Sequence, residues 1–158
     1  MLLISGSSGF IGSNLKIILK SKKIKFKVIK TREIKSKNKN FFKGTKYFIH
    51  LGFNFYKKET TLKNDSNLNI LKFLIKKAEN HNFKIIFAST ASYKYRGKNK
   101  IISKNIYPLN LYSQSKINCE KLLENSFKKK KTDITKLRIF NVYGNNQPEN
   151  FFIPDVEK

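Results

Sequence analysis

Three observations predict a three-layer α/β/α fold built on a doubly wound parallel sheet. Short apolar runs alternate with amphipathic stretches of helical period along the chain. A glycine-rich turn, "SGSSGFIG" (Ser5–Gly12), joins the first apolar run to the first amphipathic stretch. With 158 residues, 39% of them hydrophobic, the chain is long enough for one compact core.

The elements follow in order. "LLIS" (Leu2–Ser5) reads as the first strand. Phe10–Lys20 reads as a helix with Ile11, Leu15, Ile18 and Leu19 on one face. "FKVIK" (Phe26–Lys30) is the second strand and "KYFIHL" (Lys46–Leu51) the third. Between them "REIKSKNKN" (Arg32–Asn40) is polar, a loop or a frayed short helix, and no further strand is legible there. Asn67–Asn80 carries Leu68, Leu71, Leu74, Ile75 and Ala78 at helical spacing. "KIIFAS" (Lys84–Ser89) is a strand, and "YKYRGKNK" (Tyr93–Lys100) a polar loop. Tyr112–Phe127, with Cys119, Leu123 and Phe127 on one face, is the last helix, and "ITKLRIF" (Ile134–Phe140) the last strand. There are no internal repeats.

The formal net charge is +24, from 34 Lys and Arg against 10 Asp and Glu. Such an excess can attract nucleic acid. Here the lysines are spread over the whole chain, and Lys, Asn, Ile, Phe and Tyr all have AT-rich codons. Only Lys128–Lys131 forms a dense block. The charge therefore reads as compositional bias, and a nucleic-acid partner is not expected. No apolar run is long enough to span a membrane, and no signal peptide is read. The single Cys119 cannot form an internal disulfide, so a cytoplasmic setting is expected. No metal constellation is legible.

Gly6, Gly9 and Gly12 stand where a strand should end and a helix begin. Free N–H groups at such a helix start favour a diphosphate. Gly6 would permit the turn, Gly9 would let backbone approach the phosphates, and Gly12 would let helix and strand pack closely. At the end of the second strand "VIKTRE" offers Lys30, Thr31 and Arg32 rather than an acid, and Glu33 comes late. Arg32 could pair with a 2′-phosphate, so NADP is narrowly preferred over NAD. "LYSQSK" places Tyr112 and Lys116 one helical turn apart. A neighbouring ammonium favours a phenolate and lowers its pKa, and such a tyrosine can exchange a proton with an alcohol. "FASTASY" puts Ser89 and Thr90 at a strand's C-terminal end, where a hydroxyl can hold a reacting oxygen.

Taken in order, "SGSSGFIG", "IHLG", "NLNILKFLIKKA", "FASTASY", "YSQSK" and "LRIFNVYG" resemble an extended short-chain dehydrogenase/reductase. The branch resembled is the NAD(P)-dependent epimerase/dehydratase family acting on nucleotide sugars. The resemblance implies a Rossmann-like domain over residues 1–144, with 145–158 opening a substrate-binding region that is largely missing. It implies that Gly6, Gly9 and Gly12, with Phe10 and Ile11, lie at the cofactor diphosphate. Leu51 and Gly52 match a strand end along the cofactor, where the family more often has Ala in place of Gly52. Asn67 matches a helix asparagine near the active-site lysine. Thr90 matches the catalytic Ser/Thr, Tyr112 the catalytic tyrosine, and Lys116 the lysine that also holds the nicotinamide ribose. Asn141 matches an asparagine near the nucleotide-sugar phosphates. The family's four-helix bundle implies a homodimer through the helices of residues 67–80 and 112–127.

Departures from the family pattern narrow the reading. Ile70 stands where the family usually has Gly, and Lys94–Tyr95 replaces the usual Tyr-Gly. Ala91 and Ser92 replace the Asp-Glu pair of the sugar 4,6-dehydratases, so an epimerase or reductase is expected rather than a dehydratase. The family continues beyond "NNQPENFFIPDVEK", so a fragment, a truncated product or half of a split enzyme is expected, with a separate C-terminal piece as a candidate partner. The alternatives are a cofactor-binding remnant without turnover and, less favoured, a basic nucleic-acid binder.

Overall fold

A computed structural model describes residues 1–54, 65–95, 106–129, 132–144 and 147. Five strands form one parallel sheet: β1 (Leu2–Ser5), β2 (Phe26–Ile29), β3 (Tyr47–His50), β4 (Lys84–Thr90) and β7 (Ile134–Ile139), in the order β2-β1-β3-β4-β7. All five were legible as apolar runs, with bounds within one residue. Their order reverses between β1 and β3, so the crease between those strand ends is the switch point of the sheet. Beyond β4, β5 (Tyr93–Tyr95) pairs antiparallel with β6 (Ile106–Pro108). The expected loop over 93–100 is thus partly a hairpin strand, and residues 96–100 lie outside the described residues.

Three helices cover the sheet: α1 (Phe10–Ser21), α2 (Ser66–His81) and α3 (Leu111–Lys128). Asp65 starts α2 by accepting hydrogen bonds from the Asn67 and Leu68 amides, and Asn82 ends it in the left-handed region at φ 51°. Asn110 and Ser113 start α3 with a reciprocal capping box. Strand alternation sends Leu3, Phe48, Ile85 and Phe87 to the α2 and α3 side, where they join Leu71, Leu74, Ala78, Cys119 and Leu123 in one core. Leu2 and Ile4 face the α1 side.

Three expectations about faces need correction. Ile18 is 51% exposed and Ile11 37%, so of α1's predicted apolar face only Leu19 is buried. Among the described residues α1 alone covers its side of the sheet, so its flanks are exposed. Phe127 is 56% exposed because it lies in the last turn of α3. The polar stretch after β2, expected as a loop or a frayed short helix, is short and helical but well packed. It makes two 3₁₀ turns, Thr31–Ser36 and Lys39–Phe42, whose Ile34 and Phe42 are fully buried in the core. Two apolar anchors in a lysine-rich setting sufficed to fold it down.

Candidate active site

The glycine turn is built by close backbone approach. Gly6 has φ +74°, and a Cβ there would lie 2.3 Å from the Gly52 amide nitrogen. A Cβ on Gly12 would lie 2.2 Å from the Gly6 carbonyl oxygen, so α1 can start this near β1 only with glycine at that position. Gly9 differs. A Cβ there would meet only the Gly6 carbonyl oxygen, at an ordinary 3.6 Å, so the fold itself does not require glycine at 9. The Leu51 amide donates to the Ser5 carbonyl at 3.1 Å and draws β3's end against β1. Phe10 is half-buried and Ile11 exposed on the first turn of α1. A nicotinamide dinucleotide fits this cradle: backbone stands open at Gly9, and the strand ends beneath it approach without side chains between them.

At the end of β2, Lys30 is exposed and lies 3.9 Å from Glu33, which also meets Lys37 at 3.6 Å. Glu33 is therefore engaged with lysines. Arg32 is exposed and has no ion pair among the described residues.

The chemical groups converge at the C-terminal end of β4. Thr90 stands close enough to the Tyr112 phenol to favour its ionised form, and Phe53 packs edge-on against the Tyr112 ring at 4.8 Å. The Lys116 ammonium donates to the Ala88 carbonyl at 2.6 Å and lies 4.5 Å above the Phe53 ring and 5.7 Å from the Tyr112 ring centroid. Burial lowers Lys116 to about 8, against the pull of Cys119 and Glu120. The expected depression of the tyrosine is not found. Burial raises the Tyr112 phenol above its usual value, and the Thr90 hydroxyl offsets only part of that. Desolvation outweighs the ammonium because Lys116 points at a backbone carbonyl rather than at the phenol oxygen.

Asn67 holds the backbone beside the Lys116 pocket. Its side-chain oxygen accepts from the Asn54 amide at 2.7 Å, and its side-chain nitrogen donates to the Asn54 carbonyl at 3.0 Å. It clasps the backbone leaving β3 and so positions Phe53 beside Tyr112. Asn141 is exposed just past β7, at the same edge of the sheet. Thr90, Tyr112, Lys116, Gly6, Gly12, Leu51 and Gly52 thus share one edge, with Lys30 and Arg32 at its β2 end.

Three buried polar ties behind the site are not evident from the sequence. Ser5 Oγ and His50 Nδ1 are 2.5 Å apart beneath the crease. Burial, then the Lys116 charge, lowers His50 to about 3, which keeps it neutral. Glu120, four residues beyond Lys116, accepts from Ser89 Oγ at 2.5 Å and from Arg138 Nη2 at 2.7 Å. Burial opposes ionisation of Glu120, but hydrogen bonds from Arg138 and Ser89 outweigh it and hold the carboxyl below its usual range. Ser115 donates to Asp65 at 2.6 Å and ties α3 to the start of α2.

The sequence profile of the NAD dependent epimerase/dehydratase family matches residues 2–156. No curated protein matches the sequence significantly. Among solved structures, UDP-N-acetylglucosamine 4-epimerase from Methanobrevibacter ruminantium M1, in complex with UDP-N-acetylmuramic acid, is similar at TM-score 0.75 and 22% identity, over 95% of this chain and 57% of that one. UDP-glucose 4-epimerase from Thermus thermophilus, complexed with NAD, gives TM-score 0.77 and 20% identity over 94% and 58%. A double mutant of DesIV, a dTDP-glucose 4,6-dehydratase from Streptomyces venezuelae, with NAD bound, gives 0.79 and 15% over 98% and 60%. At these identities the likeness is one of fold, and the chain spans less than two thirds of each solved chain.

Proposed function

The chain belongs to the NAD-dependent epimerase/dehydratase family, and we propose that it carries the cofactor-binding half and the acid/base of an epimerase- or reductase-type enzyme acting on a nucleotide sugar. The observation that supports this most is the meeting of Thr90, Tyr112 and Lys116 at the sheet edge that also holds the Gly6–Gly12 turn. Residues 1–144 form the dinucleotide-binding domain in this reading, and 145–158 open the substrate region.

The backbone from Gly6 to Gly12 holds the diphosphate, with Phe10 and Ile11 beside it. Leu51 and Gly52 line the cofactor's path, and Lys116 holds the nicotinamide ribose. The dinucleotide, when bound, supplies the hydride acceptor or donor. Tyr112 exchanges the proton of the sugar hydroxyl, and Thr90, beside the phenol, orients that oxygen. Asn67 acts as a positioning residue through Asn54. Asn141 stands where the nucleotide-sugar phosphates would pass. Lys30 and Arg32, both basic and exposed, support NADP over NAD. Similar structures solved with NAD support NAD itself, so titration with both cofactors decides the preference.

Dimerisation through α2 and α3 would bring together outward faces that carry Lys72, Lys76, Lys121 and Lys128. Like charge opposes that contact at low ionic strength, and sedimentation at low and moderate salt tests it.

The decisive experiment is titration with NAD(H) and NADP(H), followed by turnover with a panel of nucleotide sugars. Tyr112→Phe keeps the ring and removes the proton-transfer group. It should lower turnover by about 10²–10⁴-fold, the usual worth of a positioned acid/base, with cofactor affinity nearly intact. Full turnover in Tyr112→Phe would overturn the assignment. A second reading is dinucleotide binding without turnover. Cofactor binding with no turnover on any sugar would select it.

A further inference from the structure

Lys116 is only 3% exposed, yet it carries an ammonium into a pocket walled by rings. Its Nζ lies 4.5 Å from the Phe53 ring centroid, 4.8 Å from that of Phe87 and 5.7 Å from that of Tyr112. Among the described residues its hydrogen bond goes to the Ala88 carbonyl. One carbonyl and three ring faces solvate a cation only in part, so a charge buried in this way needs an anion near it.

The titratable and charged groups packed around Lys116 come from four elements. From β3, His50 is held neutral. At the start of α2, Asp65 is engaged by Ser115 and by two amides of its own helix. On α3 itself, burial raises the Tyr112 phenol and pushes the Cys119 thiol up to about 12, so both are uncharged near neutral pH. β7 brings two cations, Lys136, which pairs with Glu124, and Arg138, which pairs with Glu120. Burial lowers Lys116 to about 8, and Cys119 and Glu120 oppose it. Cys119 carries no charge at that pH, so the opposing charge is that of Glu120.

The geometry around Glu120 suits that part. The residue is 4% exposed and stands one helical turn beyond Lys116. Two strands grip its carboxylate. Ser89 Oγ of β4 donates to it, and Arg138 of β7 donates through Nε at 3.1 Å and Nη2 at 2.7 Å. A guanidinium fork fixes the plane of a carboxylate as well as its place. Ser89 sits between Ala88, whose carbonyl receives the ammonium, and Thr90. One carboxylate thus ties α3 to the part of β4 that carries both.

We propose that Glu120 is a positioning residue for this site: clamped by Ser89 and Arg138, its carboxylate keeps the Lys116 ammonium charged and seated at the Ala88 carbonyl. The inference rests on the reading of Lys116 as the group that holds the nicotinamide ribose. Arg138 and Ser89 in turn hold Glu120 ionised against its own burial. Charge at the candidate site is therefore governed from β7, through α3.

Nuclear magnetic resonance of the Lys116 Cε carbon, assigned by its loss in Lys116→Arg, reads the protonation without any cofactor. In the wild-type chain the midpoint should lie near pH 8, apart from the exposed lysines. Glu120→Gln keeps the shape and removes the anion, so the midpoint should fall by about one unit. Arg138→Gln leaves the carboxylate and removes the cation beside it, so the midpoint should rise. Both variants lose the same clamp and should melt at lower temperature, so opposite shifts report charge and not loosened packing. Glu120→Asp, which keeps the charge, should recover most of the first shift without recovering the melting temperature. NADH binding, followed by its fluorescence, should be lost with rising pH about one unit earlier in Glu120→Gln than in wild type. Unmoved midpoints in Glu120→Gln and Arg138→Gln would overturn the proposal and leave the clamp a structural tie. Where Glu120→Gln does not fold, an unmoved midpoint in Arg138→Gln does so alone. Opposite shifts in a chain that binds neither dinucleotide would uphold the clamp and overturn the cofactor reading.

Discussion

Under α2 and α3 the sheet buries Leu3, Phe48, Ile85 and Phe87 almost completely, whereas on the α1 side Val28, Tyr47 and Leu137 keep 49%, 48% and 44% of their surface exposed. The strands are the same; the cover is not. Among the described residues, two helices and the 3₁₀ turns of residues 31–42 press on one face, and a single twelve-residue helix lies over the other. The two faces hold their helices by different means. α2 and α3 are fastened by a shared apolar core and by the Asp65–Ser115 and Glu120–Arg138 ties. α1 is placed by backbone approach at Gly12 more than by side chains. The candidate acid/base is mounted on the well-fastened face, where a misplaced phenol would be most costly to chemistry. The glycine turn belongs to α1, and in the proposed function its backbone rather than its side chains is the working surface.

The largest test of this contrast is a matched pair of truncations. Phe48→Ala opens a cavity among aromatic neighbours and should cost about 3–5 kcal/mol, whereas Leu137→Ala on the open face should cost under about 1 kcal/mol. Chemical denaturation of both variants measures the difference, and equal losses would erase the distinction between the faces.

A smaller effect concerns acid. His50 lies on the closed face, near Phe48 and Phe87, with its folded pKa down at about 3 against an ordinary 6.5. Between those values the unfolded chain takes up a proton that the folded chain refuses. Stability should therefore fall as pH drops below about 6.5, by at most about 1.4 kcal/mol per unit, and the loss levels off near pH 3. His50→Gln should flatten the upper part of that slope in melting curves from pH 7 to 5. An unchanged slope would show that His50 is not held neutral by the core.

The smallest effect on stability belongs to the α1 side. Gly9→Val places a side chain into open space, so its melting temperature should stay within a few degrees of wild type. Dinucleotide affinity should nevertheless fall more than tenfold, since the new side chain stands where the diphosphate would lie. A folded Gly9→Val variant with unchanged affinity would remove the glycine turn from the site.

Local pattern carried a large part of this molecule. Alternation and helical period marked β1 to β4 and β7, and all three helices, because each repeats within a few residues. The spacing of Gly6, Gly9 and Gly12 marked the turn, and four residues between Tyr112 and Lys116 placed both on one helical face. Motifs met in a consistent order pointed to the family. What the sequence left open was every property set by elements that meet from afar. Ile18 and Phe127 looked interior by period, yet burial depends on which helix covers which face. Ile34 sits in a stretch that read as polar, yet with Phe42 it enters the core formed with α2. Glu120 became an ion-pair partner only when β7 brought Arg138 beside it. Even the direction of the Tyr112 pKa was a tertiary matter: sequence placed the ammonium one turn away, but packing aimed it at the Ala88 carbonyl and left desolvation to prevail. Periodicity is written in neighbours along the chain, while exposure, pairing and dielectric are decided by neighbours in space.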